Sequence, residues 1–179
     1  MNKRNMGLSA ARYAALVGIM AATMECGKLA LSFIPNVEIV TILIALYSYC
    51  FGLPGVLAAV VFVAIEPLIW GFGTWIITYI VYWPLVAVVF MLLGRAGIKN
   101  RWVLSCIAVG LTVFFGVFSS LVDIGLFSGN FDNFFVRFGI YYARGIVFYL
   151  IQIACNAVLF SLFFNFLAAK LSMIKTRFL

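Results

Sequence analysis

Polar side chains recur at helical spacing within the most apolar part of this chain. Arg137, Tyr141 and Arg144 are spaced i, i+4 and i+7, so they share one helix face, which continues toward Gln152. Two guanidinium groups, a phenol and an amide on one face suit the wall of a cavity that binds a polar ligand. Arg144 lies about ten residues into its predicted helix, or roughly 15 Å deep at about 1.5 Å per residue.

A charged side chain inside a membrane helix costs of order 2.5–3.5 kcal/mol, so it usually faces a cavity or an opposite charge. Glu66 and Asp123 each lie about one turn from the end of a predicted helix. Two roles are therefore open for Arg144: contact with a ligand, or an internal ion pair with Glu66 or Asp123. For Arg137, extension of the guanidinium to the lipid headgroups is favoured over ligand contact.

An aromatic stripe follows a glycine-containing turn at residues 71–73. Trp75, Tyr79, Tyr82 and Trp83 are spaced i, i+4, i+7 and i+8, and Trp70 precedes the turn. Anchoring at the membrane interface accounts for Trp70 and Trp75. It does not account for the deeper aromatic residues, which could stack on a ring-containing ligand.

The amino-acid composition indicates what kind of helices carry these residues. The chain has 179 residues, of which 66% are hydrophobic and 9% charged, whereas soluble domains are roughly half apolar. A spanning helix needs about 20 residues, so the sequence predicts one all-α domain over residues 1–179, an integral membrane bundle of six transmembrane helices. The predicted helices cover residues 8–33, 37–51, 56–70, 74–93, 102–127 and 134–171.

The distribution of charge predicts the topology. Nine of the twelve basic residues fall near the termini or in the polar connection at 94–101, and basic residues accumulate in short cytoplasmic segments. Both termini are therefore predicted to be cytoplasmic, in a multi-pass protein of a plasma membrane. The five acids fall in the opposite half of the predicted bundle. We attribute the net charge of +7 to membrane topology rather than to nucleic-acid binding, because of where the basic residues lie.

Small residues recur every four positions in the first helix, a spacing that lets another helix approach closely in lipid, although it is also common by chance in apolar sequences. The predicted docking residues are Ala11, Ala14, Ala15, Gly18 and Ala22. The four cysteines are isolated, with no metal-ligand spacing, and neither a phosphate-binding loop nor a nucleophile elbow is present. We therefore expect no enzyme, no metal and no cofactor.

Three stretches carry a resemblance to a known family. They are Phe33–Thr41, Gly71–Ile77, and Gly145–Phe148 followed by Cys155-Asn156. With six helices in about 180 residues, the chain resembles the substrate-binding S components of energy-coupling factor (ECF) transporters, which import vitamins into prokaryotes. The resemblance implies a subunit that captures its ligand outside the cell, docks through helix 1 onto a membrane-embedded T component with two ABC ATPases, and topples to release the ligand inside.

The resemblance adds Glu38 to the candidate site, where it either lines the cavity or caps helix 2. The predicted ligand-binding residues are Glu38, Glu66, Trp70, Trp75, Tyr79, Trp83, Asp123, Arg137, Tyr141 and Arg144. Charges of both signs favour a neutral or zwitterionic ring-containing vitamin; cobalamin-type, thiamine-precursor and nucleobase-like ligands are all open, with the cobalamin group first. The main alternative is a structural membrane scaffold resembling MreD-like morphogenesis proteins.

Overall fold

The structure is a computed structural model that describes residues 3–34, 37–127 and 133–178. The described residues are almost entirely helical. The helices are α1 (Lys3–Leu31), α2 (Val40–Phe51), α3 (Leu53–Trp70), α4 (Trp75–Arg95), α5 (Arg101–Phe127), α6 (Phe134–Leu162) and α7 (Phe164–Phe178). Parts of the turns predicted near residues 35–36 and 128–133 lie outside the described residues.

Five of these helices are long and apolar enough to cross a membrane: α1, α3, α4, α5 and α6. A multi-pass helical membrane bundle is therefore the architecture that the chain fits. The sixth predicted span, α2, has 12 residues and is about 18 Å long, well short of the roughly 30 Å hydrocarbon core.

The shortest helix lies at the centre of the bundle. Nine of the 12 residues of α2 are buried, and α2 packs against α1, α3, α4, α6 and α7. Gly52 has a φ of 73° and joins α2 directly to α3, so α3 begins at Leu53 rather than at the predicted residue 56. Gly94 lets the end of α4 approach the Tyr49 carbonyl, where a Cβ atom would clash.

The structure divides the predicted sixth helix, residues 134–171, at Phe163 into α6 and α7. Backbone hydrogen bonds continue across this point, from the Phe163 N–H to the Leu159 carbonyl and from the Leu167 N–H to the Phe163 carbonyl, and α7 packs against α2. Phe164 contacts the Tyr49 ring edge-on at 5.4 Å, and Lys175 donates a hydrogen bond of 2.8 Å to the carbonyl of Cys50 at the end of α2. These contacts hold α7 against the end of α2.

The contacts define two ends of the bundle. Cys50, Lys99 and Lys175 mark one end, where the Asn165 amide donates a hydrogen bond of 2.9 Å to the Lys99 carbonyl. Lys28 and Glu66 meet at the other end, which we call the site end.

Candidate functional site

A cavity opens at the site end between α1, α2, α3, α4, α5 and α6. Its volume, counted to the outer edge of its opening, is about 420 Å³. The lining residues are Lys28, Glu38, Val40, Thr41, Phe62, Tyr79, Tyr82, Trp83, Thr112, Phe115 and Gln152. Apolar and aromatic walls with a few convergent polar groups are typical of small-molecule binding sites.

Glu38 both lines this cavity and caps α2, so the two roles left open by the sequence are combined. Its Oε2 accepts a hydrogen bond of 3.0 Å from the Thr41 backbone N–H, and its Oε1 accepts one of 2.5 Å from the Thr41 hydroxyl. The Asn156 amide donates to Oε1 at 3.2 Å and to the Thr112 hydroxyl at 3.0 Å. These bonds join α2, α5 and α6 into one polar network beside the cavity.

Glu66 is fully buried and forms an ion pair with Lys28 of α1. The Lys28 ammonium also lies over three aromatic rings, at 4.8 Å from the centroid of Trp70, 5.9 Å from Trp75 and 5.3 Å from Tyr79. The Trp70 indole N–H donates a hydrogen bond of 3.2 Å to Glu25. The sequence predicted a partner for Glu66 on helix 6, but the observed partner is on α1.

The lower part of the aromatic stripe forms one wall of the cavity. Tyr79, Tyr82 and Trp83 all line the cavity, and Trp83 makes edge-on contacts with Tyr79 at 5.5 Å and with Phe62 at 6.1 Å. Trp70 and Trp75 lie outside the lining and contact Lys28 instead. The structure therefore divides the predicted stripe into a cavity wall and a group that surrounds a cation.

Seven of the ten predicted ligand-binding residues do not line the cavity: Glu66, Trp70, Trp75, Asp123, Arg137, Tyr141 and Arg144. Tyr141 and Arg144 are exposed on the outer face of α6, where the guanidinium lies 6.0 Å from the Tyr141 ring centroid. Among the side chains that the structure describes, the ion pair formed is Lys28–Glu66. The predicted pairing of Arg144 with Glu66 is therefore not observed, because α6 packs mainly against α5 and turns this face outward.

Two buried polar atoms near the cavity have no hydrogen-bond partner within the described part of the chain. They are Nε1 of Trp83, a residue that is 6% exposed, and Oδ1 of the fully buried Asn156. A buried donor or acceptor without a partner costs about 1–3 kcal/mol. A ligand in the cavity could satisfy the Trp83 donor.

The small residues of α1 lie on the surface of the bundle. Ala11, Ala14, Ala15, Gly18 and Ala22 are all exposed. A Cβ atom added at Gly18 would meet nothing within 4 Å. The structure thus leaves this row uncovered, and its docking to another helix stays a prediction.

Some residues of the cavity were missed at the sequence level. Lys28 was not among the predicted ligand-binding residues, yet its isolation as a cation at the end of an apolar helix was a usable signal. Thr41 and Asn156 fall within stretches that carry the family resemblance, although neither was predicted as a site residue. Thr112 carried no comparable signal, because single neutral polar residues are common in membrane helices. Gln152 was predicted on the helix 6 face and does line the cavity.

No protein-family model, curated protein or solved structure matches this sequence. The geometry of the cavity therefore carries the functional argument.

Proposed function

We propose that this protein is the substrate-capture subunit of an ECF-type importer and binds a vitamin-like molecule in the cavity at the site end. The observation that carries the proposal is the cavity itself, because it places aromatic rings, a carboxylate, an ammonium group, two threonine hydroxyls and an amide around one space between helices. In this proposal α2 completes six passes, the site end faces outward, and both termini are cytoplasmic in a prokaryotic plasma membrane.

The size of the cavity narrows the ligand class. The volume of about 420 Å³ includes open space at the mouth of the cavity, so it is an upper limit on the room for a ligand. A cobalamin is much larger than this limit, and a ligand of one or two rings is the largest that it admits. Thiamine-precursor and nucleobase-like molecules therefore fit better than the cobalamin group.

The exposed row of small residues on α1 supports the proposal that the protein docks onto another subunit of an importer. Because the bundle leaves this row uncovered, a helix of a membrane-embedded T component can pack closely against it. The resemblance to the ECF family implies that this component carries two ABC ATPases.

The test is capture of a small molecule during purification. The protein is purified in mild detergent from cells grown in rich medium, and small molecules released by denaturation are identified by mass spectrometry. We expect one ring-containing molecule at near-stoichiometric amount with the wild-type protein. Gln152→Trp, which fills the cavity, should lose it at least tenfold.

A matched variant on the same helix controls for the bulk of the new side chain. Val158 is 52% exposed on the surface of α6, so Val158→Trp should retain the molecule. If no variant and no wild-type preparation yields a bound molecule, the capture function is rejected. Equal retention by Gln152→Trp and Val158→Trp would place the site elsewhere.

A further inference from the structure

The sequence predicted a site that contains both acids and arginines, but the structure does not bring all of these charged residues to the cavity. Arg137 and Arg144, the basic residues expected to balance the acids, are not among the residues that line the cavity. The charged residues that do line it are Lys28 and Glu38. The net charge of the site therefore depends on which other groups form ion pairs with Lys28 and Glu38.

Lys28 is already neutralised by an acid. Its ammonium pairs with the fully buried Glu66. A third acid at this end, Glu25, accepts a hydrogen bond from the Trp70 indole N–H, and the Trp70 ring lies beside the Lys28 ammonium. Glu66 therefore offsets Lys28, and the Glu38 carboxylate is not the partner of this ammonium group.

Glu38 faces the cavity without a cationic partner among the described side chains. The donors bound to it are neutral: the Thr41 backbone N–H, the Thr41 hydroxyl and the Asn156 amide. An ionised carboxylate offers about four acceptor sites, so Glu38 retains capacity for one more donor. In a site of low dielectric the most favourable donor is a cation.

The walls next to this carboxylate also favour positive charge. Tyr79, Tyr82, Trp83 and Phe115 line the cavity, and the face of an aromatic ring attracts a cation within about 6 Å. Lys28 over the ring of Tyr79 already shows this contact. The buried Nε1 of Trp83, which has no partner among the described residues, adds a donor for one acceptor atom of the ligand.

We propose that the molecule captured in this cavity is a ring-bearing organic cation of one or two rings, whose positive charge is recognised by Glu38. The inference rests on the proposed function, since it names the ligand class of the same site. It replaces the neutral or zwitterionic ligand expected from the sequence, because that expectation counted the two arginines as part of the site.

The test varies ligand charge at nearly constant size. Binding to the purified protein is followed by tryptophan fluorescence for 1-methylnicotinamide and thiamine as cations, nicotinamide as a neutral compound, and nicotinate as an anion. The molecule that co-purifies with the protein is added to the panel. Each compound is titrated into wild type, Glu38→Gln and Glu38→Asp.

We expect the tightest compound to carry a positive charge, and Glu38→Gln to weaken its binding about 10- to 100-fold, the range of hydrogen bonds to charged groups. Glu38→Asp keeps the charge and a carboxylate just before the first turn of α2, where acids are favourable, so its loss of affinity should be smaller. The comparison of cationic, neutral and anionic compounds uses only the wild-type protein. It therefore tests the charge of the ligand even if Glu38→Gln does not fold.

The outcomes separate the two proposals. If a neutral or anionic compound binds most tightly, or if Glu38→Gln binds the best cation as tightly as wild type does, the cationic ligand is overturned and the capture function stands. If neither the panel nor the co-purified fraction contains a binder, the capture function fails and this inference fails with it.

Discussion

At the scale of single residues, the Lys28–Glu66 ion pair dominates the site end. Glu66 is fully buried, and the Lys28 side chain keeps 25% of its surface exposed. Removing one partner of a buried pair typically costs about 3–5 kcal/mol, because it leaves an uncompensated charge. The exposure of Lys28 places this pair toward the lower end of that range.

We therefore expect Lys28→Met to lower the free energy of unfolding by about 3 kcal/mol, measured by denaturant titration in detergent. Lys28→Arg, which keeps the charge, should cost clearly less. The double variant Lys28→Met/Glu66→Met should recover most of the loss, because replacing both partners with apolar residues is often neutral. Equal destabilisation by the single and double variants would show that the charge pairing is not what stabilises this end.

The sequence allowed the cavity-wall aromatic residues to be predicted but not the partner of Glu66, and the difference has a physical reason. Tyr79 and Trp83 could be predicted because their spacing on one helix directs both into the same wall. The partner of Glu66 could not be predicted, because Lys28 lies 38 residues away and its selection depends on how α1 packs against α3. Local spacing determines a helix face, but only packing determines what that face meets.

At the scale of elements, the exposed row on α1 gives a direct test of docking. Gly18→Leu places a bulky side chain on this row, where a Cβ atom meets nothing within 4 Å. The fold should therefore be unchanged, while a close helix–helix contact is blocked. After co-expression with T and ATPase subunits, we expect at least a tenfold lower recovery of those subunits in an affinity purification.

Gly110 of α5 provides the matched control for this variant. It is also an exposed helical glycine with nothing within 4 Å of an added Cβ atom. Gly110→Leu should thus recover the partner subunits as wild type does. If Gly18→Leu also recovers them fully, α1 is not the docking element.

The division of the predicted sixth helix into α6 and α7 shows where element boundaries escape sequence reasoning. Residues 134–171 form one apolar stretch without an internal proline or strong turn signal. The interruption at Phe163 is accompanied by contacts between α7 and α2: Phe164 is fully buried and contacts the Tyr49 ring edge-on at 5.4 Å. Tyr49 is distant in sequence, so residues 134–171 alone do not reveal this contact.

At the scale of the whole molecule, the position of α2 decides the topology. Its first turn carries Thr41 beside the cavity, and its last residues, Cys50 and Phe51, lie at the opposite end near α7. If α2 crosses the membrane, three passes (α1, α2 and α3) separate residue 5 from the turn between α3 and α4. Residue 5 and this turn then lie on opposite sides of the membrane. If α2 does not cross, the two segments lie on the same side.

Cysteine labelling distinguishes these topologies. In a background with all four native cysteines replaced, single variants Asn5→Cys, Phe72→Cys and Lys99→Cys are treated with a membrane-impermeant maleimide. Phe72 is 86% exposed and Lys99 is exposed, so both positions are accessible from their own side. We expect Phe72→Cys to react in intact cells, and Asn5→Cys and Lys99→Cys only after permeabilisation, because basic residues concentrate on the cytoplasmic side. Reaction of Asn5→Cys together with Phe72→Cys in intact cells would contradict six passes, and an inverted pattern would place the cavity on the cytoplasmic side.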